Sequence, residues 1–203
     1  MNFVIGRFHH LIDAALDVQQ FILPFQKHLI PCRFLYKGTV KSEEEIAPYA
    51  KSGMNYKNLY DPEYKLMVGK KEDGTFERPF SPLKWGGNFT EGNSLHYSWS
   101  VFHDPQGLIY LMGGDKEYVA MLDTVFAMPP LYDESYYGGV IHEIREMQVM
   151  NMGNYAHGNQ PIQHMLYMYD WGGQPWKSQQ HIREAMDKLY NSNFDGYCGD
   201  EDN

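Results

Sequence analysis

Punctuation by glycine and proline constrains this chain more than any other feature. With 19 glycines and 11 prolines in 203 residues, its periodic apolar stretches are cut to about ten to fifteen residues, the length of ordinary globular helices. Leu108, Ile109, Leu111 and Met112 predict a buried helix that the pair Gly113-Gly114 closes. Asp115 is placed to cap the next helix, whose inward face carries Tyr118, Val119, Leu122, Val125 and Phe126 until Pro129-Pro130 stops it. Residues 141–152 predict a further helix, and residues 177–190 an amphipathic one with Ile182, Ala185, Met186 and Leu189 inward. Between these two lies the loop His157-Gly158-Asn159-Gln160-Pro161, followed by a short apolar helix through Tyr169. Upstream, residues 41–46 give a polar start signal for a short helix, and Pro62 ends a helix over residues 54–61. Extended pieces at 66–68 and 76–80, joined by Glu72-Asp73-Gly74, read as a hairpin. No strand–helix alternation appears, so the expected class is all-α, a toroid or bundle with its sites in the loops.

Charge and composition remove several function classes. A net charge of −9 without a basic cluster argues against a nucleic-acid partner. No apolar run is long enough to span a membrane. Arg7, His9, His10 and Asp13 interrupt the apolar core that a secretion signal needs, so the chain as written is not addressed for export. His9 and His10 read as structural or incidental. Cys32 and Cys198 fit neither a disulfide framework nor a CxxC metal site, and the histidines lack zinc-site spacing. The 16 tyrosines and 4 tryptophans suit a sugar, apolar on one face and hydroxylated at its rim, and equally suit an aromatic core. Residues 1–40 alternate irregularly and stay unassigned.

Two stretches carry candidate chemistry. Residues 85–99 place Glu91 among aromatic rings and glycines, with the nearest acids in sequence at Glu77 and Asp104. An apolar setting disfavours the charged form of a lone carboxyl and raises its pKa toward that of a general acid. The alternative is that Glu91 caps a helix or pairs with Lys84 or Arg78. Near the other end, Asp200 and Asp202 are two apart, so an extended loop points both the same way, where each raises the other's pKa. The plain alternative there is a solvated acidic segment. Together Glu91 and the Asp200/Asp202 pair offer what glycoside hydrolysis needs, an acid for the leaving oxygen and a base for water.

Residues 85–99, 103–114, 140–152, 156–179 and 196–203 resemble, in order, the motifs of glycoside hydrolase family 92, whose members are calcium-dependent inverting exo-α-mannosidases. The likeness runs from about Asn55 to Asn203. It implies a partial (α/α)6 toroid with a short hairpin and long functional loops over residues 41–203, without the family's β-sandwich and the first part of its toroid. Glu91 falls on the general acid, and Asp200 and Asp202 on the water-activating loop. His142 and Glu143 fall on a pair that holds the leaving-group mannose in α-1,2-specific members; the alternative for them is an exposed helix start. Trp85, Asn159 and Gln160 are further candidate sugar contacts. Ca2+, a hard ion taking oxygen ligands, has Glu146 and Asn159 as candidate donors.

The implied function is single-displacement hydrolysis of terminal α-mannose, α-1,2-linked, from mannan or N-glycan type oligosaccharides. The alternative is a non-catalytic, sugar-binding or degenerate fragment of such an enzyme, and a weaker rival is a sugar lyase or another toroid glycosidase. A full-length relative would work in the periplasm or outside the cell. Three placements follow. Residues 54–203 should be mainly helical, forming an arc of the toroid against which residues 1–40 pack poorly. Asp200 and Asp202 should share a rim with Glu91. His142 and Glu143 should open a helix on that rim, after the break Tyr136-Tyr137-Gly138-Gly139.

Overall fold

Capping residues decide where the expected helices begin and end. The computed structural model describes residues 43–194 and 196–199. In order come α1 (Glu43–Ser52), a 3-10 turn (Asn55–Asn58), strands β1 (Tyr60–Asp61) and β2 (Leu66–Met67), α2 (Ser94–Tyr97) and α3 (Pro105–Met112). Then follow α4 (Asp115–Ala127), α5 (His142–Met150), a 3-10 segment (Gln160–Tyr167), α6 (Met168–Trp171) and α7 (Pro175–Leu189). The described residues are thus mainly helical, with one two-stranded sheet. None of their helices is long and apolar enough to cross a membrane. Residues 1–40 lie outside the described residues, as do Asp200 and Asp202.

α3 behaves as its sequence requires. The Asp104 carboxylate accepts the Gly107 N–H at 3.0 Å, Pro105 fills the first turn, and Gly113 ends the helix at φ 101°, a left-handed value that a side chain would resist. α4 starts one residue differently from expectation: Gly114 occupies the cap position, and Asp115 is the first helical residue, where its charge still favours the helix dipole. α5 is shorter than residues 141–152, because Asn151 turns left-handed at φ 49°.

Three expectations are corrected. Leu66 and Met67 pair antiparallel with Asp61 and Tyr60, not with residues 76–80. The turn at Glu72-Asp73-Gly74 exists, but closes only a single bridge between Lys70 and Phe76. Pro62 therefore sits in the β1–β2 turn, and the preceding 3-10 turn has already ended at Asn58. On α7, Ala185 and Leu189 are buried and Ile182 half-buried, but Met186 is 51% exposed, since it lies at the edge of the stripe set by the other three.

One continuous core holds these elements. Leu108, Tyr118, Leu122, Val125, Ile144, Met147, Tyr155, Ile162, Met165 and Tyr169 are fully enclosed. Each aliphatic side chain of this kind contributes about 1.5–3 kcal/mol relative to exposure. Trp85 and Trp99 also belong to this core, Trp85 packing edge-on to His96 and Trp99 to Tyr118. The tryptophans of residues 85–99 are therefore packing groups, and what they position is the loop between them.

Candidate active site

α2 anchors the Glu91 loop from below. Asn93 caps it, its side chain accepting the His96 N–H at 3.2 Å, while the His96 ring takes the Asn93 N–H on Nδ1 at 3.3 Å. On the far side of that ring, Nε2 lies 2.7 Å from the Asn154 carbonyl oxygen. A carbonyl only accepts, so the neutral ring carries its proton on Nε2. Burial pushes the His96 pKa down to about 4, against a smaller upward pull from that carbonyl. Asn154 joins more of the site: it accepts from Asn93 at 3.1 Å and donates to the Leu131 carbonyl at 2.7 Å.

The loop itself is tied through its main chain. The Gly86 N–H donates to the Gly92 carbonyl at 3.0 Å, closing residues 86–92 on themselves. The Tyr97 hydroxyl donates to the Thr90 carbonyl at 2.5 Å. The Glu91 N–H donates to the Tyr137 phenol oxygen at 3.0 Å, and the Asn159 amide donates to the Glu91 carbonyl. Glu91 has φ 50° and is exposed. Asn93, not Glu91, caps α2, and Arg78 is engaged by Asp61 and Glu63. Lys84 forms a parallel bridge with Asp133 through its backbone.

Three more of the expected residues come to this loop. α5 begins at His142, so His142 and Glu143 do open a helix, as the break before them predicts. His142 is largely exposed, Glu143 is buried at 7%, and His142 Nδ1 lies 3.4 Å from Glu143 Oε2. The exposed-helix-start reading therefore fails for Glu143. Glu91 is also not a lone carboxylate. Burial raises the pKa of Tyr97 and of Tyr137, and the negative charges of both Glu91 and Glu143 add to it in each. Two carboxylates thus lie within electrostatic range of the same pair of phenols.

Asn159 brings the loop at 157–161 to the same place. Beside it, a Cβ on Gly158 would lie 2.0 Å from a Glu146 carboxylate oxygen and 3.0 Å from the Gly199 Cα. Glu146, Gly158 and Gly199 are therefore in contact, and Gly199 directly precedes Asp200 in the chain. His157 stabilises this loop, with its ring nitrogens 2.6 Å from the hydroxyls of Tyr155 and Tyr190. Gln160 follows with a buried Nε2 that has no hydrogen-bond partner among the described residues. Trp85 is wholly buried, so its part here is packing.

The donor set for a hard cation is incomplete among the described residues. Glu146 places a carboxylate oxygen against Gly158, the residue before Asn159, but no group of three or more His, Cys, Asp or Glu side chains converges there among the described residues. Ca2+ takes six to eight oxygens, so these two residues fit only part of a shell.

Tyr97, Tyr137 and Asn154 were not singled out from the sequence. Tyr97 stood inside residues 85–99 and Tyr137 beside a glycine pair, but their partners are up to 46 residues away, a separation no local pattern encodes.

Comparison with known proteins completes the picture. Residues 35–203 match the model of the glycosyl hydrolase family 92 catalytic domain. A search of curated proteins found no match. Among solved structures, a family GH92 inverting mannosidase of Bacteroides thetaiotaomicron VPI-5482 is 54% identical over 79% of this chain, with a TM-score of 0.64. A family GH92 α-mannosidase of Bacteroides thetaiotaomicron is 31% identical over the same share, with a TM-score of 0.64. That enzyme in complex with mannoimidazole matches at 30% identity and a TM-score of 0.67. The chain spans about a fifth of each of these, covering 22%, 19% and 21% of them. With a family model matching most of its length, the chain belongs to glycosyl hydrolase family 92.

Proposed function

We propose that this chain carries the general acid and the leaving-group subsite of an inverting exo-α-mannosidase acting on α-1,2-linked mannose. The observation that carries this reading is the meeting at one place of the Glu91 loop, the His142–Glu143 helix start, Asn159, and the Gly158–Gly199 contact leading to Asp200. Glu91, exposed at the tip of its loop, protonates the glycosidic oxygen. Asp200 or Asp202 takes a proton from the water that attacks the opposite face, for which inversion needs the carboxyls roughly 6.5–9.5 Å apart. Imidazole beside carboxylate lets His142 and Glu143 donate to one hydroxyl of the leaving sugar and accept from another. Asn159 and Gln160 line the pocket side. A relative's complex with mannoimidazole supports a mannose-type ligand.

Glu146 and Asn159 would contribute part of the oxygen shell of a calcium ion, which would supply positive charge beside the hydroxyls of a bound mannose. In architecture, residues 41–203 form an arc of an (α/α)6 toroid. Exposed Trp171, Trp176 and Val149 are the kind of surface that further toroid helices cover.

The test is mannose release from α-1,2-mannobiose by the purified chain, with the anomer followed by NMR and a chelator arm in parallel. Expected are the β-anomer first and loss of release on chelation. Binding of mannose without release supports the non-catalytic alternative. Retention of configuration overturns the mechanism. For specificity, His142→Ala should weaken disaccharide cleavage about tenfold while sparing an activated aryl mannoside, in line with about 0.5–1.5 kcal/mol for one hydrogen bond. Equal losses on both substrates would remove the α-1,2 assignment.

A further inference from the structure

Resting on Glu91 as the acid, the further question is what holds that residue in the conformation it adopts. Its φ of 50° lies in the left-handed region, which a glutamate rarely occupies because its Cβ crowds the following carbonyl and its side chain gives no local compensation. Such a conformation persists only where the surroundings over-determine it. Here the Glu91 peptide groups are gripped at both ends, its N–H by the Tyr137 phenol oxygen at 3.0 Å and its carbonyl by the Asn159 amide.

Tyr137 is itself held firmly. Its loop docks on residues 83–85 through two backbone bonds of 2.9 Å, Trp85 N–H to the Asp133 carbonyl and Asp133 N–H to the Leu83 carbonyl. Tyr136 then lies flush on Gly86, where a Cβ would come 2.2 Å from the ring, and its ring meets that of Tyr137 edge-on at 5.1 Å. The loop at 131–138 therefore has a fixed seat, and the phenol oxygen is a fixed acceptor. We propose that Tyr137 is a positioning residue whose phenol oxygen, opposed by the Asn159 amide, clamps Glu91 in its left-handed backbone conformation and so aims the acid outward. Tyr137 touches no substrate in this account; it acts through Glu91.

The variant Tyr137→Phe keeps the ring and removes only the acceptor. Amide hydrogen exchange reads the clamp directly. The Glu91 amide should exchange at least about tenfold faster in Y137F, while the Gly86 amide, bonded to Gly92, keeps its rate. An unchanged Glu91 rate overturns the proposal. Thermal unfolding supplies a second reading. Glu91→Gly relieves the backbone strain and should raise Tm by about 2–4 °C in the parent chain. It should raise Tm by less than half as much in Y137F, where the strained state is no longer enforced; equal gains in both backgrounds overturn the clamp. Neither reading depends on activity, so both stand apart from the mannosidase assignment. On an activated mannoside, Y137F should lower kcat about tenfold with KM within about twofold. A change confined to KM would show that Tyr137 contacts the sugar and does not position the acid.

Discussion

Acidification should loosen this fold through one histidine whose hydrogen bonds admit only its neutral form. His96 is fully enclosed, accepts a hydrogen bond from the Asn93 N–H on Nδ1 and donates one to the Asn154 carbonyl from Nε2. Protonating Nδ1 would set two hydrogens against each other in a fully enclosed site. Burial holds the folded pKa at about 4, against 6.5 in the unfolded chain. Below pH 6.5 the unfolded chain takes up a proton here that the folded chain refuses. The contribution is therefore complete above pH 6.5, declines as pH falls, and is gone below about 4. Each unit crossed costs about 1.4 kcal/mol, so lowering pH from 7.5 to 5 should remove about 2 kcal/mol through His96 alone. His164, also held at about 4 by burial, and His103, His157 and His181, lowered likewise, steepen the same slope. The variant His96→Gln isolates the effect, since glutamine at this position fills the same capping box without titrating. Urea unfolding of both chains at pH 7.5 and 5 gives the comparison. The parent should lose about 2 kcal/mol more than the variant. Equal losses would refute the argument that the neutral tautomer holds α2.

Asn93→Ser keeps a cap but cannot reach Asn154, whereas Asn93→Ala loses both; chemical denaturation should rank them parent, Ser, Ala, with the last step about 1 kcal/mol. Arg78→Met should destabilise by about 1–3 kcal/mol at pH 7, because it strands the Asp61 carboxylate, which is only 2% exposed. Part of that loss should vanish on acidification, because burial raises the Asp61 pKa and it is chiefly the guanidinium, which the variant lacks, that brings it below its ordinary value; without it Asp61 takes up a proton more readily than in the parent. Leu122→Ala removes a wholly buried side chain of α4 and should cost about 2–5 kcal/mol in the same assay, without altering the Glu91 amide exchange rate.

Helices bounded by strong local signals were legible in the sequence. Gly113 acts within a few residues, so the end of α3 could be read, whereas its start, capped by Asp104 with Pro105 in the first turn, was not assigned. The β1–β2 pairing could not, because Pro62 reads as a helix stop and only the folded turn, with Lys65 at φ 55°, reveals it as part of a reversal. Met186 was misplaced for a related reason: periodicity fixes a stripe but not its width, which depends on what packs against α7. The same division runs through the site. Glu91, His142 and Glu143 were visible as residue types in suggestive settings, but what surrounds Glu91 is Tyr137 and Asn159, 46 and 68 residues further along. That Glu143 comes within electrostatic range of the phenols around Glu91 was expected only through the family resemblance, because 52 positions separate the two glutamates (143 − 91) and no local pattern links them. The Asp200/Asp202 reading falls outside the described residues.

That the printed ties of Glu91 all run through its peptide groups has a consequence for how such a site can change over time. The carboxylate contributes none of those bonds, so exchanging it leaves the loop's geometry intact. Shape and reactivity are thereby held by separate atoms. A single replacement at position 91 removes the acid while the neighbouring groups at Glu143, Asn159 and Gln160 stay where they are. On the proposed reading of Glu91 as the acid, hydrolysis and sugar recognition rest on separate groups, and one substitution would divide a receptor from an enzyme.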